Sequence, residues 1–214
     1  MDLTLPIPID LVHDVVCPWC RIGKKNLADA IAAWDGEPIE VVYHPFFLQP
    51  GMPSEGRNFR DHMRALKGDD NIDSMLINVS NAGLRAGLNF NWDKIQRMPN
   101  TTLAHALILA APAEQQSAVL DAIHTAYFEQ GIDIGNKAKV IEIGQQFGVD
   151  TSRLDDAEFL DDVAGAAEGS RAAGIQGVPF FIIDQKLAVS GAQPPSVLLD
   201  AIGQAAGQMS DVTG

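Results

Sequence analysis

The sequence predicts an α/β protein in which a small sheet is interrupted by a long helical block. Three observations carry this. Strand-like runs of β-branched and aliphatic residues lie near the two ends of the chain, at 7–16 and 39–44 and again at 180–183 and 186–189. Between them, apolar side chains recur at helical spacing through residues 58–169, with few strand candidates. A Cys-Pro-Trp-Cys motif stands where the first strand gives way to the first helix.

Taken in order, Ile7 to Val16 reads as a buried strand, with Pro6 and Pro8 confining its start to an edge or entry position. Cys17-Pro18-Trp19-Cys20 follows at once. Ile22, Leu27, Ala30, Ile31 and Trp34 then recur mostly at three- and four-residue spacing, an amphipathic helix that Gly36 and Pro38 end. Pro18 suits the first turn of that helix, where its missing N–H costs nothing. Residues 39–44 form a second strand, and Pro45, Pro50, Gly51 and Pro53 mark a long loop. Helices are predicted over 58–67, 71–86, 101–111, 113–130, 137–147 and 155–173, punctuated by glycines and prolines such as Gly68, Gly87, Pro99, Pro112, Gly131 and Gly148, with Asn100 as an N-cap. A hairpin turning at Asp184-Gln185 and a last amphipathic helix over 196–206 complete the chain, and the residues after Gly207 are expected to fray.

Composition bounds the function. A chain of 214 residues with 46% hydrophobic and 20% charged residues can bury a sizeable core, as one domain or one domain with a large insertion. Acidic residues outnumber basic ones 28 to 15, for a net charge of −13, a field that repels phosphate backbones and anionic lipid. No nucleic-acid or membrane partner is therefore expected. The opening MDLTLPIPIDLVHDVV lacks the basic segment and small-residue cleavage site of a signal peptide, so a cytoplasmic location is expected. A reducing compartment disfavours a structural disulfide, which makes the only two cysteines, Cys17 and Cys20, chemical rather than structural.

Three uses of such a pair compete. A structural zinc site needs four ligands, and His13, His44, His62, His105 and His124 contain no H-x3–5-H pair to supply the other two, so no metal is expected. An inert buried pair is the bland use. A CxxC at a helix N-terminus, however, meets unpaired N–H groups and about half a positive charge, which favours a thiolate on the first cysteine. Cys17 is then the nucleophile, and Cys20, one helical turn on and more buried, resolves the mixed disulfide. Asp14, just before the motif, is placed to relay a proton to Cys20, although an end-of-strand carboxylate is more often a cap or solvated. Arg21, Lys24 and Lys25 either offset the acidic field or form a solvated helix face. Trp19 between the cysteines is available to substrate, and Trp34 and Trp92 are assigned to the core.

The segments VVCPWCRIGKKNL, HPFFLQP, NTTLAH, AYFEQGIDI and GIQGVPFFIIDQKLAVSGAQP together resemble the DsbA-like thioredoxin-fold family, in its FrnE-like (DSBA oxidoreductase) branch, over nearly the whole chain. The resemblance implies a thioredoxin fold, residues 1–57 and 170–214, interrupted by a large all-helical insertion, residues 58–169. It also implies a redox CxxC with Cys17 attacking and Cys20 resolving, and a cis proline at Pro179. Pro18, Trp19, Val178 and Pro179 are the expected substrate-binding residues. His105, within NTTLAH, is expected to pack rather than catalyse.

The function expected is a thiol–disulfide oxidoreductase acting on a protein or a small thiol or disulfide. No bound cofactor is expected, with glutathione as a possible co-substrate, in a monomer or homodimer. The same branch is similar to kappa-class glutathione transferases and hydroxychromene-carboxylate isomerases, which carry a serine where Cys17 stands, so a glutathione-dependent isomerase or transferase is the alternative. A holdase or binding module without turnover is a third.

Overall fold

The computed structural model describes residues 5–68 and 71–207. The expected fraying after Gly207 lies outside them. Among the described residues, β1 (Ile7–His13), β2 (Ile39–Pro45), β5 (Phe180–Ile183) and β6 (Leu187–Ser190) form one sheet in the order β2-β1-β5-β6. β1 runs parallel to β2, with Ile7 opposite Ile39, and antiparallel to β5, with Leu11 opposite Phe181. Ile9, Leu11, Phe181 and Ile183 are fully buried at its centre. The β5–β6 turn closes through Lys186 N–H donating to the Ile183 carbonyl, with Asp184 and Gln185 both at positive φ.

Helix α1 (Pro18–Ala33) follows β1 and packs against α8 (Pro195–Ala205). Strand β1 stops at His13 rather than at Val16, because the Cys17 amide donates to the Asp14 carbonyl at 3.0 Å and turns the chain into α1. The helix accordingly begins at Pro18, which stands in its first turn as expected, ahead of the apolar stripe that starts at Ile22.

The segment between β2 and β5 holds α2 (Phe59–Lys67), α3 (Ile72–Arg85), α4 (Thr102–Ala110), α5 (Ala113–Phe128), α6 (Lys137–Gln146) and α7 (Ala157–Ala172). A two-residue ribbon that the hydropathy pattern does not reveal, β3 (Arg57–Asn58) with β4 (Arg97–Met98), ties the loop before α2 to the segment before α4. In α4, Ala104, His105, Ala106, Leu107 and Ile108 are buried in succession, which is why it shows no clean stripe. Thr101 occupies its capping position without a side-chain bond, while Asn100 Oδ1 accepts from the Thr102 amide at 3.0 Å. The helix predicted over 155–173 starts later, at Ala157, with Asp156 capping it after a 3-10 turn, Thr151–Asp155. α7 packs on β2, and its last turn hydrogen-bonds there: Ser170 Oγ donates to the Pro45 carbonyl, and Arg171 Nη2 to that of Phe47 just beyond. The division expected at 169/170 falls inside this continuous helix.

The charged face of α1 is not solvated at Arg21 and Lys24. Both are 6% exposed and form the seam with the helical block. Arg21 donates to the Asn89 carbonyl, pairs with Glu129 and lies over the Phe90 and Phe128 rings, while Lys24 Nζ meets Asp121 Oδ2 at 2.6 Å. Lys25, by contrast, is partly exposed and pairs with Asp29 within the helix. Replacing Arg21 removes its bonds to the Asn89 carbonyl and Glu129 and its charge over the two rings. Arg21→Met is expected to cost about 2–3 kcal/mol, measured as a fall of roughly 5–10 °C in melting temperature; Lys25→Met should leave it within about 2 °C.

Candidate active site

The Asp14–Cys17 turn sets Cys17 at the N-cap of α1, with φ −83° and ψ 112°, and Pro18 at the first helical position. The Cys17 carbonyl accepts from the Cys20 amide at 3.0 Å, so the cysteines are held one turn apart by helix geometry itself. Both are free thiols; Cys17 is 5% and Cys20 1% exposed. Cys17 Sγ faces the Val178 carbonyl at 3.7 Å, and the Val178–Pro179 peptide bond is cis. Trp19 projects outward at 40% exposure. Burial first, then the neighbouring Cys17 sulfur and the Asp14 charge, push the Cys20 thiol well above the ordinary range, with the Asp14 backbone partly opposing. Cys20 is therefore held protonated at the helix's inner side.

Pro179 sits against α1 with no room to spare. A Cβ built on Gly23 would lie 2.7 Å from Pro179 Cγ and 3.2 Å from Phe181 Cζ. Glycine at position 23 thus sets how closely the helix bearing the cysteines approaches the proline loop.

Asp14 is neither a side-chain cap nor solvated. It is 1% exposed, Oδ2 accepts from the Leu48 amide at 2.8 Å, and Oδ1 lies 3.4 Å from His105 Nε2. The His105 ring also packs against His13, centroids 5.1 Å apart, and against Phe47. His13, His105 and His124 are each 1% exposed, and His13 Nδ1 and both His124 ring nitrogens have no hydrogen-bond partner. Burial first, then neighbouring positive charge, holds His13 and His124 well below the ordinary histidine range: His105, His124, Lys24 and His44 act on His13, and Lys24, Arg21 and His105 on His124. Both are neutral at pH 7. Among the described residues no group of three His, Cys, Asp or Glu side chains is arranged to hold a metal ion.

A cavity of about 400 Å³ opens beside the motif. Cys17, Pro18, Trp19 and Val178, all expected from the sequence, line it together; Cys20 and Pro179 are not among its lining residues. Its opposite side is made by α2, α3 and the 3-10 turn Trp92–Lys94 (Phe59, His62, Met63, Met75, Leu76 and Trp92), which the sequence did not mark. Apolar residues at helical spacing look the same whether they face a core or a cavity, so only their positions reveal them. Trp92 keeps a core role as well, stacking on Phe90 and donating Nε1–H to Ser80, while Trp34 packs on the core and donates to the Glu37 carbonyl.

The sheet order, the CxxC at the N-terminus of α1 and the proline loop facing it define a thioredoxin-type scaffold. The DSBA-like thioredoxin domain model matches residues 8–203, and the chain belongs to that family. It is 24% identical to YwbO of Bacillus subtilis over 92% of this chain and 96% of that one. A probable DsbA oxidoreductase of Streptomyces coelicolor superposes with TM-score 0.83 at 26% identity, covering 97% of this chain and 93% of the other. The cytosolic disulfide reductase DsbM of Pseudomonas aeruginosa, solved with GSH, gives TM-score 0.62 at 18% identity over 94% and 99%, a likeness of fold. No described helix is long and apolar enough to cross a membrane.

Two outcomes follow from this geometry. Gly23→Ala is expected to cost about 1–3 kcal/mol by overpacking, read from urea unfolding, and to change the rate at which Cys17 is alkylated. Histidines buried neutral bind protons only on unfolding, so the stability they contribute is present above pH 6.5, the ordinary histidine value, and is lost as pH falls below it. His124→Leu is expected to hold or raise the urea midpoint at about pH 7.5 and to flatten its decline toward pH 5 by up to about 1.4 kcal/mol per pH unit.

Proposed function

We propose that the chain is a thiol–disulfide oxidoreductase in which Cys17 attacks and Cys20 resolves. One observation carries this: Cys17 caps a helix N-terminus with its sulfur 3.7 Å from the Val178 carbonyl, and a free Cys20 lies one turn behind it. In the first step Cys17 sulfur attacks a disulfide, forming a mixed disulfide and releasing one thiolate. In the second, Cys20 attacks Cys17 Sγ, closing the intramolecular disulfide and releasing the second. The second step needs the Cys20 proton removed from a site that disfavours charge. Asp14, a buried carboxylate whose charge is felt at Cys20, is the acceptor we assign, held in place by the Leu48 amide and His105.

Pro18, Trp19, Val178 and Pro179 form the substrate-binding surface in this reading, with the Val178 backbone available to an extended substrate. The glutathione-dependent alternative draws on the DsbM structure, solved with GSH. Keeping both cysteines supports redox cycling over simple glutathione activation. A cytoplasmic site of action is part of this reading, and the support for it is the likeness of fold to DsbM, a cytosolic disulfide reductase.

Cys20→Ser is expected to accumulate mixed disulfides through Cys17, detected by acid quench and mass spectrometry; trapping through Cys20 in Cys17→Ser would reverse the roles. Asp14→Asn should slow closure of the Cys17–Cys20 disulfide by about tenfold or more at neutral pH while leaving the first attack within about twofold. Calorimetry with glutathione on Cys17→Ser tests the alternative, since tight noncovalent binding that survives the substitution would favour a transferase or isomerase.

A further inference from the structure

The thiol assigned as nucleophile is nearly inaccessible. Cys17 is 5% exposed and lines the wall of the cavity, to which α2 and α3 contribute residues as well. With so little of the sulfur at the surface, a flat protein face has little of it to meet, whereas a slender molecule can enter the space beside it. The cavity's volume of about 400 Å³ lies in the range of small-molecule sites, roughly 300–1,000 Å³.

Its chemistry narrows the occupant further. Phe59, Met63, Met75, Leu76 and Trp92 make an apolar and polarisable wall. His62, also on that wall and 6% exposed, has its Nε2 without a hydrogen-bond partner. Burial, helped by the Arg57 charge, lowers the His62 pKa, so its ring is a neutral hydrogen-bonding group at pH 7. Lys67 is the cation among the lining residues; it is exposed, and the chain as a whole carries −13. An apolar site in an acidic protein disfavours a multiply charged anionic ligand.

We propose that the substrate of this site is a small, uncharged, largely apolar disulfide that enters the cavity between α1 and the α2–α3 pair and reaches Cys17 from within. The proposal rests on the redox reading above. In the reaction, the Cys17–substrate S–S bond forms as the substrate's own S–S bond breaks. The Cys17–Cys20 bond then forms as the mixed disulfide breaks. The two protein thiols are oxidised by two electrons, the substrate is reduced to two thiols, and the two protons leave with them. Two equivalents of a low-molecular-weight thiol return the protein to its dithiol state.

The test uses the reduced full-length chain in single turnover against three disulfides: dithiodipyridine, uncharged and aromatic; oxidised glutathione, charged; and insulin, a protein. Each rate is divided by the same disulfide's rate with a free dithiol, which removes intrinsic reactivity. The expected result is a normalised rate for dithiodipyridine about tenfold or more above the other two. Filling the cavity by Met75→Trp, or its mouth by Leu66→Trp at an exposed position that tolerates the change, is expected to remove that advantage, with the melting temperature reported for each variant. If insulin or oxidised glutathione matches dithiodipyridine, or if both tryptophan variants leave the preference intact, the small apolar substrate is overturned and the redox reading stands. If none of the three oxidises the Cys17–Cys20 pair, the redox reading falls and takes this proposal with it.

Discussion

The site depends on one hydrogen bond at the joint between strand and helix, from the Cys17 amide to the Asp14 carbonyl. It stops β1 at His13 and delivers Cys17 to the N-cap of α1. With Pro18 next, the first helical position asks for no N–H, and the helix then spaces Cys20 behind Cys17. The same joint turns the Asp14 side chain inward beneath the motif, where the Leu48 amide and His105 receive it. A slip of one residue here would exchange the nucleophile for a valine or a proline.

Around that joint the structure buries polar groups that an ordinary core would avoid. Asp14 and three histidines are all nearly inaccessible, and several of their polar atoms have no partner. Burying such groups unpaired typically costs more than a kcal/mol each, so packing elsewhere must offset it. The densely buried α4 and α5, with Leu107, Leu120, Ile123 and Phe128, supply that packing. The arrangement places imidazoles that burial keeps neutral in the same interior as a thiol that burial keeps protonated.

Arg21 and Lys24 solve a different problem. A sheet domain interrupted by a helical block needs the two parts registered, or the cavity between them has no defined shape. These residues, one and four positions after Cys20, tie the helix carrying the cysteines to the Phe90–Phe128 cluster and to α5. Gly23, between them, lets Pro179 approach on the opposite side. A single turn of α1 thus positions the motif relative to the helical wall and to the proline loop.

The sequence by itself determined the order of elements, the strand-to-helix placement of the CxxC, the helical block and the turn at Asp184-Gln185, because each is encoded in spacing and turn chemistry over a few residues. It also marked Val178 and Pro179 through their likeness to a family pattern. It did not separate a solvated from a buried charge, so Asp14 stood open between a proton relay and a cap, and Arg21 and Lys24 between offsetting the acidic field and a solvated face, until their partners were in view. The likeness implied that the Val-Pro pair faces the CxxC; the tertiary structure set Val178, 161 positions along the chain, at its distance from Cys17, and it alone decided that α2 and α3 wall the cavity before it. The reason is physical: periodicity says that a helix face is apolar, but what that face meets is fixed by packing between segments distant in the chain.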